Sequence, residues 1–258
     1  MTPVTERVLR VAMPWLAMAV FLVVWELACV AFDIAEIILP RPSRIFAVTL
    51  QRWDILLAFC GETLWTTVLG FLLAIAGGLV MGLAIGASPF IYSGLYPLLI
   101  AFNAIPKVAI VPILMIWVGV GATPAVVTAF AISFFPIVVN VATGLATIEP
   151  EMRDVLRSLG ATRTEILTKV GIPRAMPYLF ASLKVAITLA FIGSVISETV
   201  GGNRGIGFLM LSASARNDAA TTFAGLFAIA VMGVLMYAVC ALVEKRMTRW
   251  AFRGELVS

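Results

Sequence analysis

Long apolar blocks, nearly free of charge, recur along this chain and constrain its fold more than any motif does. Crossing about 30 Å of hydrocarbon as a helix takes roughly 20 residues. Six stretches of that order occur, at 11–32, 63–87, 95–118, 124–144, 177–200 and 222–243. Of the 258 residues, 62% are hydrophobic and 12% charged, whereas soluble domains carry about half and a quarter. The expected class is therefore an all-α integral membrane protein with six transmembrane helices. The first block is expected to be retained, because Ala28, Cys29, Val30 and Ala31 run into Phe32 without a clear A-x-A cleavage site.

An even number of spans puts both termini on one side. With the N-terminus inside, the cytoplasmic face holds Arg7, Arg10, Arg153, Arg157, Arg163, Lys169, Arg174, Lys245, Arg246, Arg249 and Arg253. The outer face holds only Arg41, Arg44, Arg52, Arg204 and Arg216. That asymmetry predicts cytoplasmic termini, and the net charge of +4 then reflects topology and calls for no nucleic-acid partner.

Several chemistries are excluded. No stretch matches G-x-x-x-x-G-K-[ST], so the chain has no cradle for nucleotide phosphates and is not expected to be its own ATPase. With no histidine and no metal spacing among Cys29, Cys60 and Cys240, no metal or cofactor is expected. Cys29 and Cys60 could meet at the outer face, although small apolar filling is the commoner use of a membrane cysteine. No nucleophile elbow or intramembrane carboxylate pair suggests a membrane enzyme.

Polar and helix-breaking residues inside the spans are informative. Gly70, Ala74, Gly78, Gly82 and Gly86 repeat every four residues, one smooth face along roughly 24 Å of helix. It suits either a close contact within the chain or a surface along which copies or moving helices slide. The third span holds Pro97, Pro106 and Pro112, with Asn103 and Lys107 beside the central proline, a broken helix that suggests a pathway. Lys107 could face a water-filled cavity or a partner, or instead snorkel or pair with a carbonyl at the break. Asn140 with Ser133 and Pro136 gives the fourth span a polar break that serves either as packing glue or as pathway lining, and Glu198 with Ser194, Ser197 and Thr199 could line an outer vestibule. Glu26 is expected to reach the headgroups beside Trp25, and Lys184 to snorkel inward.

One long polar stretch lies on the inner face, from Glu149 to Pro177. Pro150 suits a first helical turn, Glu151 and Asp154 favour the N-terminal dipole end, and Gly160 supplies a left-handed cap. Thr162 and Glu165 form a T-x-x-E capping box opening a second helix, which Pro173 is expected to stop. Val155, Leu156 and Leu159 share one face and Arg153 and Arg157 another, which suits a membrane surface or a groove on another protein.

The register of this stretch resembles the EAA loop of ABC importer permeases, E-A-A-x-x-x-G-x9-I-x-L-P. Asp154, Val155 and Leu156 stand at the Glu-Ala-Ala positions, followed by Arg157, Ser158 and Leu159. Gly160 matches the glycine, with Ala161 and Thr162 after it. Val170 replaces Ile, and Ile172 and Pro173 replace Leu-Pro. LPRPSRIF at 39–46, IPKVAIVPILMIWVGVG at 105–121, FFPIVVNVATGL at 134–145 and ETVGGNRGIGFLM at 198–210 also resemble the branch serving nitrate, sulfonate, taurine, thiamine precursors and riboflavin.

The resemblance implies a type I ABC importer permease fold, with the pathway formed by two permease copies, most simply a homodimer in the lipid bilayer. It further implies separate ATPase subunits that bind ATP and Mg, and a substrate-binding protein at the outer face. The coupling loop would span 147–176 within a permease core at 63–243, preceded by an outer-connected first helix at 1–62 and followed by a basic tail at 244–258. The competing class, an ion-gradient-driven secondary carrier, calls for paired mid-depth carboxylates and inverted repeats, and neither is visible.

Overall fold

The computed structural model describes residues 3–146 and 150–248, and no strand occurs among them. Helices α1 (Pro3–Ala31), α3 (Trp53–Gly86), α6 (Ala122–Ala146), α9 (Ile172–Gly201) and α11 (Ala219–Met247) are the long ones. Each contains a stretch long and apolar enough to cross a membrane. The third expected span is two helical pieces, α4 (Pro89–Ala104) and a run from Lys107 to Val118, bent by 71°. Counting that pair once gives the six spans expected. The break has a local cause: Pro106 offers no N–H, and Ile105 before it takes extended backbone (φ −67°, ψ 128°). Beyond it, Lys107–Ile110 is a 3-10 turn leading into α5 (Val111–Val118).

The core is a three-helix bundle of α3, α6 and α9, with Phe71, Ala74, Ala129, Ile137, Val141, Ala186, Ile187 and Ala190 buried between them. The glycines of the small-residue stripe of α3 are spent on α6. A Cβ on Gly70, Gly78, Gly82 or Gly86 would come within 2.6–2.8 Å of Ala129, Ile137, Val141 and Leu145 respectively. The partners advance in step, so α3 and α6 run parallel and in register. This is the intrachain contact; the sliding alternative fails because the face is already covered. Close backbone approach of this kind is what stabilises helix pairs in lipid. On the other flank of α6, Gly144 admits Tyr178 and Ala175 of α9.

Shorter elements close the outer side. Helix α2 (Pro42–Gln51) follows α1, and α10 (Ile206–Ala215) sits between α9 and α11. Glu26 does not merely reach toward headgroups: its carboxylate accepts from the Ser43 N–H at 3.0 Å and the Ser43 hydroxyl at 2.8 Å, capping the first turn of α2. Arg52 donates to Asp218 at 2.8 Å and to Thr221 at 2.7 Å, tying the start of α3 to that of α11. A division at 62/63 thus falls inside α3, whose outer end packs with α10 and α11 through Leu56, Leu209 and Ala224. Cys29, Cys60 and Cys240 are all free thiols.

Candidate functional site

On the inner face, α7 (Pro150–Ser158) begins with proline and carries Glu151 in its first turn and Arg157 in its last, both favourable for the helix dipole. It ends as the sequence reading anticipates. Gly160 has φ +84°, its N–H donates to the Arg157 carbonyl at 2.9 Å, and the Ala161 N–H donates to the Leu156 carbonyl at 3.0 Å. That pair of bonds is a Schellman turn. The capping box is also formed: the Thr162 N–H donates to Glu165 at 3.0 Å, and the Glu165 N–H returns to the Thr162 hydroxyl at 3.3 Å.

These locked turns leave an apolar face uncovered. Val155 is 58% exposed and Leu159 78% exposed, and Met152 lies one turn before Val155. Asp154 pairs with Arg157 at 3.7 Å on the exposed surface, and the Ser158 hydroxyl closes on the Val155 carbonyl. Between α7 and α8 (Arg163–Ile166) runs a shallow groove lined by Leu156, Gly160, Ala161, Ile166 and Val170. Residues 147–149 of the expected loop, and 249–258 of the basic tail, lie outside the described residues.

Pro173 does not stop the second helix. After α8 the chain makes a π turn, Leu167–Gly171, and passes directly into α9 with Pro173 in its first turn. The Ile172 N–H reaches the Leu167 carbonyl, and this wider turn absorbs the donor that proline lacks. Val170 and Ile172 therefore belong to one helical column joining the exposed segment to the bundle core.

At the outer end of that column, Ser194 and Glu198 do not line an open vestibule. Ser194 is fully buried and Glu198 is 4% exposed. The Glu198 carboxyl accepts from the Thr63 hydroxyl at 2.9 Å and the Gly207 N–H at 3.0 Å, while Thr63 accepts from the Ile206 N–H at 2.8 Å. Ser194 meets Thr66 at 2.6 Å. Burying such groups is costly unless they are bonded, and here they bond each other, clamping α3, α9 and the start of α10. Gly205 (φ +88°) lies so close that a Cβ there would strike the carboxyl.

Lys107 takes the carbonyl-paired course. Its Nζ donates to both the backbone and the side-chain oxygen of Asn103, each at 2.7 Å, and sits 5.1 Å from the ring centre of Phe135. It thus spans the break at Pro106 with a cation–π contact to α6. Asn140 likewise turns inward on its own helix, donating to the Pro136 carbonyl at 2.8 Å.

Other contacts had no sequence signal. Lys184 does not simply snorkel, because it pairs with Glu244 of α11 at 2.7 Å. At Asp218, burial raises the carboxyl's pKa, but the Thr221 N–H and hydroxyl and the Arg52 guanidinium outweigh it and hold it below its ordinary value.

The model of the family described as binding-protein-dependent transport system inner membrane component matches residues 74–249. A probable ABC transporter permease protein of Haemophilus influenzae is 29% identical over 229 residues, covering 89% of this chain and 94% of that protein. The riboflavin transport system permease protein RibX of Chloroflexus aurantiacus is 30% identical over 237 residues, covering 89% and 86%. Among solved structures, an inward-facing conformation of the MetNI methionine ABC transporter superposes with a TM-score of 0.64 at 22% identity. It covers 79% of this chain and 99% of that one, a likeness of fold.

Proposed function

The chain belongs to the binding-protein-dependent transport system inner membrane component family, and on that premise we propose that α7 and α8 are the element through which a separate ATP-hydrolysing subunit drives it. The protein is a multi-pass inner-membrane permease subunit of an ABC importer of small solutes. One observation carries the docking proposal. A Schellman turn ends α7, a capping box opens α8 two residues later, and α8 runs through the π turn into α9 without a gap. A push on the exposed Val155 and Leu159 is thereby delivered to the bundle core, as a rigid lever requires.

ATP and Mg would be held by the partner, since this sequence has no phosphate cradle. A second copy of the chain completes the pathway in this proposal, and a binding protein supplies the solute from outside. The solute is of the sulfonate, nitrate or vitamin-precursor kind. Lys107 does not choose among these, because its ammonium is already engaged by Asn103 and Phe135. The test is purification of the tagged chain from membranes in mild detergent. A nucleotide-binding subunit should accompany it in comparable amount and hydrolyse ATP; a chain that emerges alone from every extraction, with no ATPase activity, would sink the proposal.

A further inference from the structure

A furrow runs between the outer end of α3 and α10, away from the coupling element on the inner face. Its two walls repeat one arrangement in opposite chain directions. On α3, Phe59 lies about two turns inward of Arg52, with Ile55 between them. On α10, Phe208 lies about two turns inward of Arg216, with Ser212 between them. The two phenyl rings stack across the inner end, 6.3 Å between centres at 29°. The furrow is thus aromatic toward the bilayer and basic at the outer surface.

Both guanidinium groups have donors to spare. Arg52 bonds Asp218 and Thr221 through one nitrogen, Nη1, which leaves Nε and Nη2 without a partner among the described residues. Arg216 is exposed and forms no ion pair among them. Asp218 offsets one of the two charges, so the outer end keeps a net positive charge. The nearest acid inward of Phe59, Glu62, is taken up by Arg204 at 3.4 Å. A planar guanidinium presents its donors in the fork that phosphate oxygens match. Beside the furrow, apolar side chains are left open: Ile55 is 48% exposed, Leu211 49%, and Trp65, further in along α3, 61%. Open apolar surface of that kind on a membrane protein faces lipid chains.

We propose that this furrow binds an anionic phospholipid of the outer leaflet, its phosphate held by Arg216 and the open edge of Arg52, its upper acyl carbons resting on Phe59 and Phe208. Phosphate, glycerol and acyl chain follow one another inward from a membrane surface. Arginine, then Ser212 and Ile55, then phenylalanine follow in the same order along the furrow. A free anion would use the arginines alone and leave the stacked rings uncovered. The site is independent of the solute carried. A lipid seated there touches α3, α10 and, through Thr221, α11, and so reinforces the tie that Arg52 makes to Asp218.

The probes are phosphatidylglycerol, phosphatidylcholine and glycerol 1-phosphate, offered to the delipidated full chain in neutral detergent. Native mass spectrometry should show one phosphatidylglycerol retained per chain, in preference to phosphatidylcholine. Arg216→Gln should weaken that binding about tenfold, the loss of one charge-assisted contact. Arg204→Gln, outside the furrow, should leave it unchanged. Because Arg216 is exposed, its variant should keep the unfolding midpoint of the lipid-free protein. Ser212→Phe, which fills the furrow and removes no charge, should weaken binding independently. Equal retention of the two lipids, undiminished binding in both furrow variants, or an equal loss in Arg204→Gln would each overturn the proposal. Displacement of the lipid by glycerol 1-phosphate at equal concentration would assign the furrow to free oxyanions and overturn it as well.

Discussion

Glu198 on α9 and Thr63 on α3 share a hydrogen bond of 2.9 Å in a site from which both side chains are shielded from solvent. The same carboxyl and hydroxyl take the N–H groups of Gly207 and Ile206. Three elements thus meet on two side chains, and neither residue can be removed without leaving a buried partner unbonded.

Glu198→Ala should therefore destabilise the purified protein by about 1–3 kcal/mol for each orphaned group. Glu198→Gln, which keeps a carbonyl oxygen in place, should lose less. Thermal unfolding in detergent, followed by tryptophan fluorescence, checks this. Equal midpoints for Glu198→Ala and the unaltered protein would show the clamp to be incidental.

At Gly160 the expectation is different, because a Cβ there meets nothing within 4 Å and only the backbone angle demands glycine. Gly160→Val should insert and purify normally, yet the strain of about 1–3 kcal/mol should loosen the turn between α7 and α8. Copurified ATPase should fall on the order of tenfold, the equivalent of about 1.4 kcal/mol. Undiminished recovery of the partner would argue that α7 docks without its cap.

The Arg52–Asp218 pair gives a dependence on pH. A carboxyl held below its ordinary value of 3.8 contributes stability above that value, and the contribution disappears as pH falls through the lowered folded-state value. Asp218→Asn should be less stable at neutral pH, by about 0.2–1 kcal/mol for a partly exposed pair. Its unfolding midpoint should also decline less steeply in acid. Parallel curves for the two proteins would assign the pair no role.

What could be read from the sequence follows the range of the physics involved. The Gly160 turn and the Thr162–Glu165 box depend on residues a few positions apart, so composition and spacing were enough. The break at Pro106 was equally local. The continuation through Pro173 was missed because a single π turn reverses the ordinary effect of proline, and nothing in the residue order announces it. The stripe from Gly70 to Gly86 showed that some helix must come close, but not that it was α6. Glu198 looked like pathway lining because its partners, Thr63 and the start of α10, become neighbours only in the folded bundle.

The ladder of Gly70, Gly78, Gly82 and Gly86 against Ala129, Ile137, Val141 and Leu145 also limits how the molecule can be altered by recombination. A chimera that takes α3 from one relative and α6 from another must reproduce four matched close pairings at once. One mismatched rung would hold the two backbones apart along the whole shared face. A crossover between α3 and α6 is therefore disfavoured, and whatever is spliced between relatives must carry the two helices, with the bent span enclosed between them, as a single inherited block.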